Sequence, residues 1–495
     1  MKKFQKILVA NRGEIAIRIL RTAKELGIKT VAVYSEEDRD ALHVSQADEA
    51  ICVGPAESQK SYLSIPQILE ACKKTQADAV HPGYGFLSEN SGFAEAVQKE
   101  KMTFIGPDPK MIFQMGDKVV ARETVTPFGV ATVPGTGAID DLDNGLKAVE
   151  TLLETRKDFK FPLLIKAAGG GGGKGMRIVR SKAELKENLE RARSEALKAF
   201  NNPTVFVERY LENPRHIEVQ VLGDGKNILH LFERECSLQR RHQKVVEEAL
   251  SPSLSPEVRK KLLEAGVKAA QSVKYNSAGT VEFIVSENDD FYFLEMNTRI
   301  QVEHPVSEWI TGIDLIRAQI EIAQGKELQI QQSDIKHNGH AIEVRLYAED
   351  ADNQFLPQPG SLHYLRFPHW TQVRVDSAVE SPCRISSFYD PMIAKISAWA
   401  PDRAQCIRRM HQFLAQTEVE GLITNRSFLM EIMEAEFFMK GRYHTHLLEE
   451  SGWRKKLKPT AEELALLCLK DHLDRRFRPQ TSSRSTWQEQ YALEA

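Results

Sequence analysis

The stretch FYFLEMNTRIQVEH, residues 291–304, combines a strand signal with a dense series of polar side chains. Its aromatic and branched first residues predict a β-strand, on which side chains alternate between two faces. If the backbone stays extended to the end, one face carries five polar side chains and no apolar one: Glu295, Asn297, Arg299, Gln301 and Glu303. A half-exposed edge strand is the plainer interpretation, but a solvated strand face favours Thr and Lys over this combination.

A second predicted strand, GTVEFIV at residues 279–285, places Glu282 among apolar neighbours. A carboxylate in such a run is rarely buried without a partner, because the burial of an unpaired charge is costly. Together with Glu295 it could hold Mg²⁺, which binds carboxylate oxygens and substrate phosphates, and Asn297 would add a neutral oxygen. The two acidic strands indicate a metal site more strongly if the chain also contains a phosphate-binding loop.

A glycine run between two predicted strands is the candidate phosphate-binding loop. Residues 161–168 form an apolar strand signal, Gly169–Gly173 follow, and a second strand begins at Met176. Because glycines let backbone N–H groups approach phosphate oxygens closely, the pattern predicts a hairpin loop over a nucleotide. The loop is not a Walker A motif, and a flexible tip without a ligand is the alternative. Lys118 and Lys166 are further candidates for phosphate contacts.

The composition is that of an ordinary globular chain and argues against several classes of protein. The 495 residues are 42% hydrophobic and 27% charged with a formal net charge of −3, so no basic field indicates nucleic acid. No apolar run reaches the length of a membrane span, and the N-terminus is typical of a first strand, not of a signal peptide. The six cysteines form no CxxC pair, which predicts a reduced, cytoplasmic protein without a thiolate zinc site.

Residues 1–115 alternate short apolar strands with helices, beginning with a strand at Ile7–Ala10 and a helix at Glu14–Leu26. This alternation predicts an open, parallel, Rossmann-like α/β sheet. The first strand–helix turn, Asn11–Gly13, lacks the glycine fingerprint of dinucleotide-binding proteins, which weakens a dehydrogenase interpretation. The loop HPGYGFLSEN, residues 81–90, follows a strand end, where ligands bind in such sheets.

The second half of the chain holds most of the remaining polar candidates. The segment ERECSLQRRHQKVVEE, residues 233–248, crowds basic side chains and, taken alone, is more typical of a basic surface patch. The strand AIEVRL, residues 341–346, carries Arg345 in the same way as the earlier strand carries its glutamate. Near the C-terminus, Thr460 begins a capping box that predicts a helix to about Arg476, followed by a loose polar tail.

Six stretches of the sequence resemble the biotin carboxylase component of biotin-dependent carboxylases. They are ANRGEIAIRILR, HPGYGFLSEN, KAAGGGGGKGMR, ENPRHIEVQVL, ECSLQRRHQKVVEEA and EMNTRIQVEHPVSE. The resemblance extends from about Phe4 to about Glu450, and the stretches at residues 235–249 and 295–308 are its most specific parts. One departure is Pro382, at a place where many relatives have glycine.

The resemblance implies an ATP-grasp protein that is α/β, or α+β over its whole length. The N-terminal domain would be the Rossmann-like sheet of residues 1–115, and the ATP-grasp domain would be residues 116–330 with a mobile lid at about 135–205. A C-terminal biotin carboxylase domain would occupy residues 331–450, and residues 451–495 would form an appended helix and polar tail.

The resemblance also implies roles for individual residues. The matches to ATP-contacting positions are Lys118, Lys166, Gly171, Gly172, Glu208, Leu211, His216, Gln239, His242, Glu282 and Glu295. The metal ligands would be Glu282, Glu295 and Asn297, and the bicarbonate-binding residues Lys244, Arg299, Gln301 and Val302. Glu303 matches the general base and Arg345 the residue that binds biotin and stabilises its enolate. The catalytic set would therefore be Glu303, Arg345, Arg299 and Lys244.

The activity implied by this resemblance is that of an ATP-dependent ligase that forms a carbon–nitrogen bond. Bicarbonate would be activated as carboxyphosphate, with Mg²⁺ or Mn²⁺ as the metal, and its carbon transferred to biotin. This is the first half-reaction of a multisubunit acyl-CoA or 2-oxoacid carboxylase. The partners would be a carboxyltransferase subunit, a biotin carboxyl carrier protein and a second copy of the chain, since Arg21, Glu25 and Arg374 match homodimer-interface positions.

The chain is expected not to carry biotin itself. A carrier domain presents its biotinylated lysine in a hairpin that reads Ala-Met-Lys-Met or close to it. Met-Lys occurs here only at Met1-Lys2 and Met439-Lys440, without the flanking pattern. Biotin is therefore expected as a substrate on a separate protein.

Three other interpretations remain open from the sequence. Another ATP-grasp ligase, of the carbamoyl-phosphate or purine-pathway type, would share the lid and metal pair but not Arg345 with the run at residues 299–303. A regulatory ATP-binding module would keep Lys118 and Lys166 without needing Glu303. A Rossmann dehydrogenase is the third alternative and lacks its glycine fingerprint.

Overall fold

The N-terminal part of the chain folds into the parallel sheet that its alternating strands and helices predict. The computed structural model describes residues 2–168, 176–241 and 243–450, with Trp453, Arg454, Glu462, Ala465 and Leu469. The elements of the first part are β1 (Lys6–Val9), α1 (Gly13–Glu25), β2 (Lys29–Ser35), α2 (Leu42–Ser45), β3 (Glu49–Gly54), α3 (Ile65–Thr75), β4 (Ala79–His81), α4 (Ser91–Lys99), β5 (Thr103–Phe104) and α5 (Pro109–Gly116). The five strands are parallel in the order β3-β2-β1-β4-β5.

Burial of both faces explains why this sheet is parallel and apolar. Ile7, Leu8 and Val9 of the central strand β1 are fully buried, which is typical of strands covered by helices on both sides. On one of these faces α1 packs Ile15 and Ile19 against the strand. The carboxyl ends of β1 and β4 lead into the turn before α1 and the loop at residues 81–90, so both face the same edge of the sheet.

A smaller antiparallel sheet follows and contains the glycine-run hairpin. The elements of this part are α6 (Lys118–Val125), α7 (Leu142–Thr155), β6 (Leu163–Ala167), β7 (Arg177–Val179), α8 (Lys182–Phe200) and β8 (Val205–Arg209). The strand order is β7-β6-β8, and Leu163 pairs with Val179 in antiparallel register, which agrees with the predicted hairpin. The loop itself, with the predicted ligands Gly171 and Gly172, lies outside the described residues, as does His242.

The largest element of the structure is an eight-stranded antiparallel sheet in the order β13-β12-β9-β10-β11-β14-β21-β19. The elements from β9 to α11 are β9 (Arg215–Gly223), β10 (Ile228–Arg240), β11 (Gln243–Ala249), α9 (Pro256–Ser272), β12 (Ala278–Val285), β13 (Phe291–Asn297), α10 (His304–Thr311) and α11 (Leu315–Ala323). Those that follow are β14 (His340–Tyr347), β15 (Glu349–Asp350), β16 (Leu356–Pro357), β17 (Gly360–Leu362), β18 (Tyr364–Arg366), β19 (Val373–Ser377), β20 (Cys383–Ile385), β21 (Met392–Ala400), α12 (Arg403–Gln416), β22 (Glu418–Glu420), α13 (Arg426–Glu434) and α14 (Glu436–Met439). Three two-stranded pairs, β15–β16, β17–β20 and β18–β22, complete this part.

The extended run predicted for residues 291–303 is wrong beyond Asn297. The strand β13 ends there, the chain continues irregularly, and Glu303 is the N-cap of α10. The backbone N–H of Thr298 donates to Glu89 Oε1 at 3.1 Å, so it leaves the ladder for a side chain of the N-terminal sheet. Pro305 in the first turn of α10 favours the helix start, since proline lacks the N–H that a helix N-terminus leaves unpaired.

The basic surface patch suggested for residues 233–248 is also wrong. This segment forms the β10–β11 hairpin inside the large sheet, with Gln239 opposite Lys244. Gln239 is buried, and Arg240 pairs with Glu349 at 3.0 Å. Lys244 lies among buried carboxylates of other segments, whereas Arg241 is exposed.

Residues 1–449 form one compact unit and residues 450–495 a second. The helix predicted from Thr460 to about Arg476 and the polar tail lie mostly outside the described residues. Within the predicted helix, the described residues are Glu462, Ala465 and Leu469, and their backbone is helical. None of the helices in the described part of the chain has the length and apolar character that crossing a membrane requires.

Candidate active site

Cross-strand register brings the charged residues of the site into one row. Glu295 of β13 lies opposite Glu282 of β12, which lies opposite Glu218 of β9, which lies opposite Arg234 of β10. Directly opposed residues on paired strands point to the same face of a sheet. The sequence identified Glu282 as a charge among apolar residues, but only the strand order shows which residues share its face.

Lys244 on β11 lies at the centre of this site. Its ammonium contacts three carboxylates: Glu218, Glu282 at 3.2 Å and Glu303 at 2.7 Å. Only 14% of its side chain is exposed, so these ion pairs are largely shielded from solvent. Burial opposes the charge on Lys244, but Glu218, Glu282 and Glu303 together hold its pKa well above its ordinary value. The lysine therefore remains a cation at neutral pH.

Arg234 is a buried residue that hydrogen-bonds to side chains of the site. It was not identified from the sequence. Its side chain is fully buried, and it donates to Glu218 Oε2 at 3.1 Å and to Gln301 Oε1 at 2.5 Å. Further hydrogen bonds reach Gln220 at 2.6 Å, Thr280 at 3.0 Å and Ser307 at 3.1 Å. Gln301 in turn donates to Glu282 Oε1 at 2.8 Å. The guanidinium thus fixes an irregular segment of chain against three strands of the sheet.

Glu303 lies between two cations and is almost completely buried. One carboxylate oxygen contacts Lys244 Nζ at 2.7 Å, and the other accepts from Arg345 Nη2 at 3.0 Å. Arg345 also donates from Nε to Glu247 Oε1 at 2.7 Å. Burial alone would raise the pKa of Glu303, but Lys244, Arg345 and Arg234 hold it below its ordinary value. Glu303 is therefore an ionised acceptor in a site from which water is largely excluded.

The carboxylates around Lys244 have opposite pKa shifts. Burial raises the pKa of Glu218 to about 7. Lys244 favours its ionised form, but the negative charges on Glu303 and Glu282 oppose it. Glu282 is buried as well, but Lys244 and His216 hold its pKa well below its ordinary value. The carboxylates of the cluster therefore differ in their affinity for a proton, and Glu303 and Glu282 are the ones that favour the ionised form.

Arg299 joins the site to the N-terminal sheet. Its Nε donates to Glu89 Oε2 at 2.8 Å, and its Nη2 donates to Asn297 Oδ1 at 2.9 Å. Glu89 was not among the predicted site residues, although the loop that contains it was marked as a ligand loop. The planar guanidinium retains donors for an oxyanion if Glu89 is displaced.

The predicted ATP-contacting residues form three groups in the structure. Lys118 Nζ lies 2.9 Å from Glu295 Oε2, while Lys166 and Arg122 both pair with Glu208, Arg122 at 3.2 Å. Leu211 is buried close to β8. In the third group, Gln239 Nε2 donates to His216 Nδ1 at 2.7 Å, and His216 Nε2 lies 2.9 Å from Glu282 Oε2. Arg122 was missed in the sequence, where it is one of several charged residues on α6.

The residues predicted to hold Mg²⁺ fit such an ion in their chemistry. Glu282 and Glu295 are opposed across β12 and β13, and carboxylate oxygens are the ligands that Mg²⁺ prefers. Asn297 lies beside them, with Nδ2 donating to Glu282 Oε1 at 2.7 Å. Among the described residues, His216, Glu218 and Glu282 also bring ligand atoms within 4.8 Å of one another. Lys244 already contacts both carboxylates of that group, so a second cation there would be repelled.

Family models cover most of the chain. The biotin carboxylase N-terminal domain matches residues 3–112, the ATP-binding domain of the carbamoyl-phosphate synthase L chain matches residues 117–331, and the biotin carboxylase C-terminal domain matches residues 343–450. A biotin carboxylase of Nostoc sp. is 49% identical over 450 residues, which are 90% of this chain and 99% of that protein. The chain belongs to the biotin carboxylase family. The predicted family and the ATP-grasp α/β fold are confirmed.

Two further relatives extend the comparison. A pyruvate carboxylase subunit of Methanothermobacter thermautotrophicus is 48% identical, and the match covers 90% of each chain. The biotin carboxylase domain dimer of Hydrogenobacter thermophilus 2-oxoglutarate carboxylase, solved with MgADP, ADP and bicarbonate, has a TM-score of 0.85 at 45% identity, covering 91% of this chain and 98% of that one. Membership of the family makes this chain an ATP-dependent ligase that carboxylates biotin, which excludes the dehydrogenase and the module without turnover.

Proposed function

We propose that this chain uses bicarbonate and MgATP to carboxylate biotin on a separate carrier protein. The observation that carries the proposal is the position of Glu303, an ionised carboxylate held 2.7 Å from Lys244 and 3.0 Å from Arg345. A base between two cations is suited to an anionic substrate that must lose a proton before it reacts. The solved H. thermophilus relative contains both a bicarbonate anion and MgADP.

The first role assigned is that of general base. Bicarbonate, bound by Lys244, Arg299, Gln301 and the backbone of Val302, transfers its O–H proton to a carboxylate oxygen of Glu303. The oxygen then attacks the γ-phosphorus of ATP, and the bond from that phosphorus to the β–γ bridging oxygen breaks, giving ADP and carboxyphosphate. Because the low pKa of Glu303 keeps it ionised, the base is present in the required form throughout the neutral range.

The second role assigned is that of nucleotide and metal binding. Lys118, Lys166 and His216 would contact the phosphates, and each is held in the unliganded protein by a carboxylate: Glu295, Glu208 and Glu282 respectively. Glu282, Glu295 and Asn297 would hold Mg²⁺, which supplies positive charge to the phosphoryl oxygens when it is bound. Replacement of these internal ion pairs by nucleotide keeps the buried cations neutralised in both states.

Arg345 is assigned to the biotin step. Carboxyphosphate breaks into CO₂ and phosphate, the ureido nitrogen of biotin gives its proton to that phosphate, and the nitrogen then forms the new bond to the carbon of CO₂. The negative charge that develops on the ureido oxygen would be stabilised by the Arg345 guanidinium. Glu247 holds that guanidinium through Nε and Nη2, and Nη2 also donates to Glu303 at 3.0 Å.

The proposed partners follow from the half-reaction. A biotin carboxyl carrier protein would deliver the substrate, and a carboxyltransferase subunit would use the product in a multisubunit acyl-CoA or 2-oxoacid carboxylase. The match to one subunit of a pyruvate carboxylase supports such an assembly, and the dimeric relative supports a homodimer through Arg21, Glu25 and Arg374. A cytoplasmic location is part of the proposal and is supported by free thiols at the described cysteines.

The test is phosphate release from ATP by the purified full chain. We expect release to depend on both bicarbonate and Mg²⁺ and to increase when biotin is supplied, with carrier-bound biotin far better than free biotin. An unchanged rate in bicarbonate-free buffer would contradict the proposal. A streptavidin blot of the same preparation tests the separate carrier, since a covalent biotin signal on this polypeptide would be incompatible with it.

A further inference from the structure

Lys395 is a buried lysine outside the set of residues described so far. It lies in the middle of β21 within the apolar run MIAKISA, and its side chain is fully buried. Its Nζ donates to the backbone carbonyl oxygen of Val302 at 2.5 Å and lies 3.4 Å from Glu14 Oε1. A buried ammonium is unfavourable without such partners, so these contacts determine where the side chain can lie.

The hydrogen bond and the ion pair of Lys395 reach distant parts of the chain. Glu14 is in the first turn of α1 in the N-terminal sheet, and its other hydrogen-bond partner is the hydroxyl of Tyr84. Val302 directly precedes Glu303, the proposed base. Lys395 therefore connects β21, α1 and the segment that carries the base, through one ammonium group.

The segment that Lys395 holds has no regular structure of its own. Between the end of β13 and the start of α10, residues 298–303 are held mainly by side chains. Glu89 accepts from the backbone at the start of the segment, Arg234 holds the Gln301 side chain, and Lys395 holds the carbonyl next to Glu303. Without Lys395, the described contacts leave the backbone beside the base without a donor to its carbonyl.

Helix α10 packs on the face of β21 that carries Lys395. Ser397, two residues after Lys395 and so on the same face, accepts from Trp309 Nε1 at 3.0 Å. Lys395 thus lies beneath the N-terminal end of α10, where Glu303 is the N-cap. A shift of the Val302 carbonyl would turn the helix start and the Glu303 carboxylate together.

We propose that Lys395 is a positioning residue, which fixes the Val302–Glu303 backbone so that Glu303 faces bicarbonate between Lys244 and Arg345. The inference rests on the proposed function for the role of Glu303. A displacement of about 1 Å at a catalytic group lowers a rate by up to about 100-fold, so loss of the contact is expected to lower kcat by about 10–100-fold. Residues that contact ATP lie on other strands and should be affected little.

The experiment compares Lys395→Met and Lys395→Gln, which remove the ammonium, with Lys395→Arg, which keeps the charge and a donor. Lys440→Met is the matched control, since Lys440 is more than half exposed and pairs with Glu436, which lies four residues earlier and is exposed as well. We expect Lys395→Met to lower kcat and raise KM for bicarbonate while KM for MgATP changes less than about twofold. Lys395→Arg should recover part of both losses, and the control should match the wild type.

Hydrogen exchange gives a second measurement that needs no catalysis. We expect Lys395→Met to speed amide exchange in residues 298–304 while exchange in β12 and β1 stays at the wild-type rate. Faster exchange throughout the protein would show a merely structural role and would overturn the proposal, as would unchanged kcat and bicarbonate KM in a folded variant. If the Met variant does not fold, the Gln variant is measured in its place. A wild type without bicarbonate-dependent activity would contradict the proposed function, whereas exchange would still test Lys395.

Discussion

At the scale of single residues, the site separates two neighbouring carboxylates by their charge states. Glu303 is held ionised by three cations, whereas burial raises the pKa of Glu218 to about 7. Both contact the same ammonium group, that of Lys244. A single lysine therefore contacts one carboxylate that favours the ionised form and another that binds a proton more readily.

Replacing Glu303 by glutamine should remove the base while keeping its shape. We expect Glu303→Gln to bind ATP with about the wild-type affinity and to lose about 10²–10⁴-fold in bicarbonate-dependent turnover. Equilibrium nucleotide binding and steady-state phosphate release are the two measurements. Glu327→Gln, which changes an exposed glutamate paired with Lys226, is the control. Carboxylation at a near-normal rate by Glu303→Gln would show that another group takes the proton.

The same sequence signal identified some residues of the site and could have identified more. Glu282 and Arg345 were recognised as charges within apolar strands, and both lie in the site. Lys395 in MIAKISA carries this signal as clearly and was missed, because its partners are a backbone carbonyl and a residue of α1. Contacts to Glu14 and Glu89 join segments far apart in the chain, which no local pattern reveals.

At the scale of elements, ion pairs hold the strand β11 near both of its ends. Near the N-terminal end, Lys244 contacts glutamates of other segments. Near its C-terminal end, Glu248 accepts from His340 of β14 at 2.6 Å and from Arg403 of α12 at 2.7 Å, and it also contacts Tyr443. Burial alone would raise the pKa of Glu248, but His340 and Arg403 lower it to about 2. This glutamate thus secures a helix and a strand of the C-terminal half to the strand that carries Lys244.

Glu248→Gln should lower the free energy of unfolding by about 3 kcal/mol at pH 7, the value that corresponds to a pKa lowered from 4.5 to about 2. Because the folded-state pKa is depressed, this contribution is fully present above about pH 4.5 and is lost as the pH falls toward 2. The difference between wild type and variant should therefore shrink to about half near pH 3. Urea unfolding across this range measures it.

The control for that series is Glu436→Gln, which changes an exposed glutamate of α14 that pairs with Lys440, the residue directly after that helix. Exposed ion pairs contribute little, so its unfolding curves should follow those of the wild type at every pH. An equal loss in both variants, or a Glu248→Gln deficit that grows with acidity, would show that Glu248 does not act through its ionised form.

The bounds of strands could be predicted where the spacing of apolar residues determines them. They could not be predicted where side chains from distant parts of the chain determine them. The sequence predicted β12, β14 and the hairpin around the glycine run with bounds within about two residues. It failed after Asn297, because Glu89 takes the backbone N–H that a longer strand would have used. It also failed to identify the β10–β11 hairpin as buried, since the carboxylates that surround its basic residues come from other strands.

At the scale of the whole molecule, a polar cavity of about 310 Å³ lies beside α1 and α10. Its lining residues are Arg18, Arg21, Glu25, Glu308, Gly312, Ile313, Asp314 and Arg374. Arg374 pairs with Glu308 at 2.7 Å, and Arg21, which is about half exposed, lies 3.5 Å from Asp376. The three residues that match homodimer-interface positions thus share one surface.

Charge reversal at Arg21 should weaken self-association. We expect Arg21→Glu to raise the dimer dissociation constant by about tenfold or more, which is the effect of about 1.4 kcal/mol, because the substitution reverses the charge at a position that matches the homodimer interface. Sedimentation equilibrium of both proteins measures the change. Arg191→Glu on the exposed side of α8 is the control. An unchanged dissociation constant for Arg21→Glu would show that association, if present, uses another surface.

The order of strands in the large sheet has a consequence for synthesis on the ribosome. The strand β11 hydrogen-bonds to β10 on one side and to β14 on the other, yet β14 begins about 90 residues later. At about 5–20 residues per second, the open edge of β11 waits roughly 5–20 s for its neighbour. An unpaired strand edge is a template for pairing with other chains. Nascent chains made on the same messenger RNA could therefore pair wrongly through β11. In the folded enzyme this strand has a neighbour on both sides.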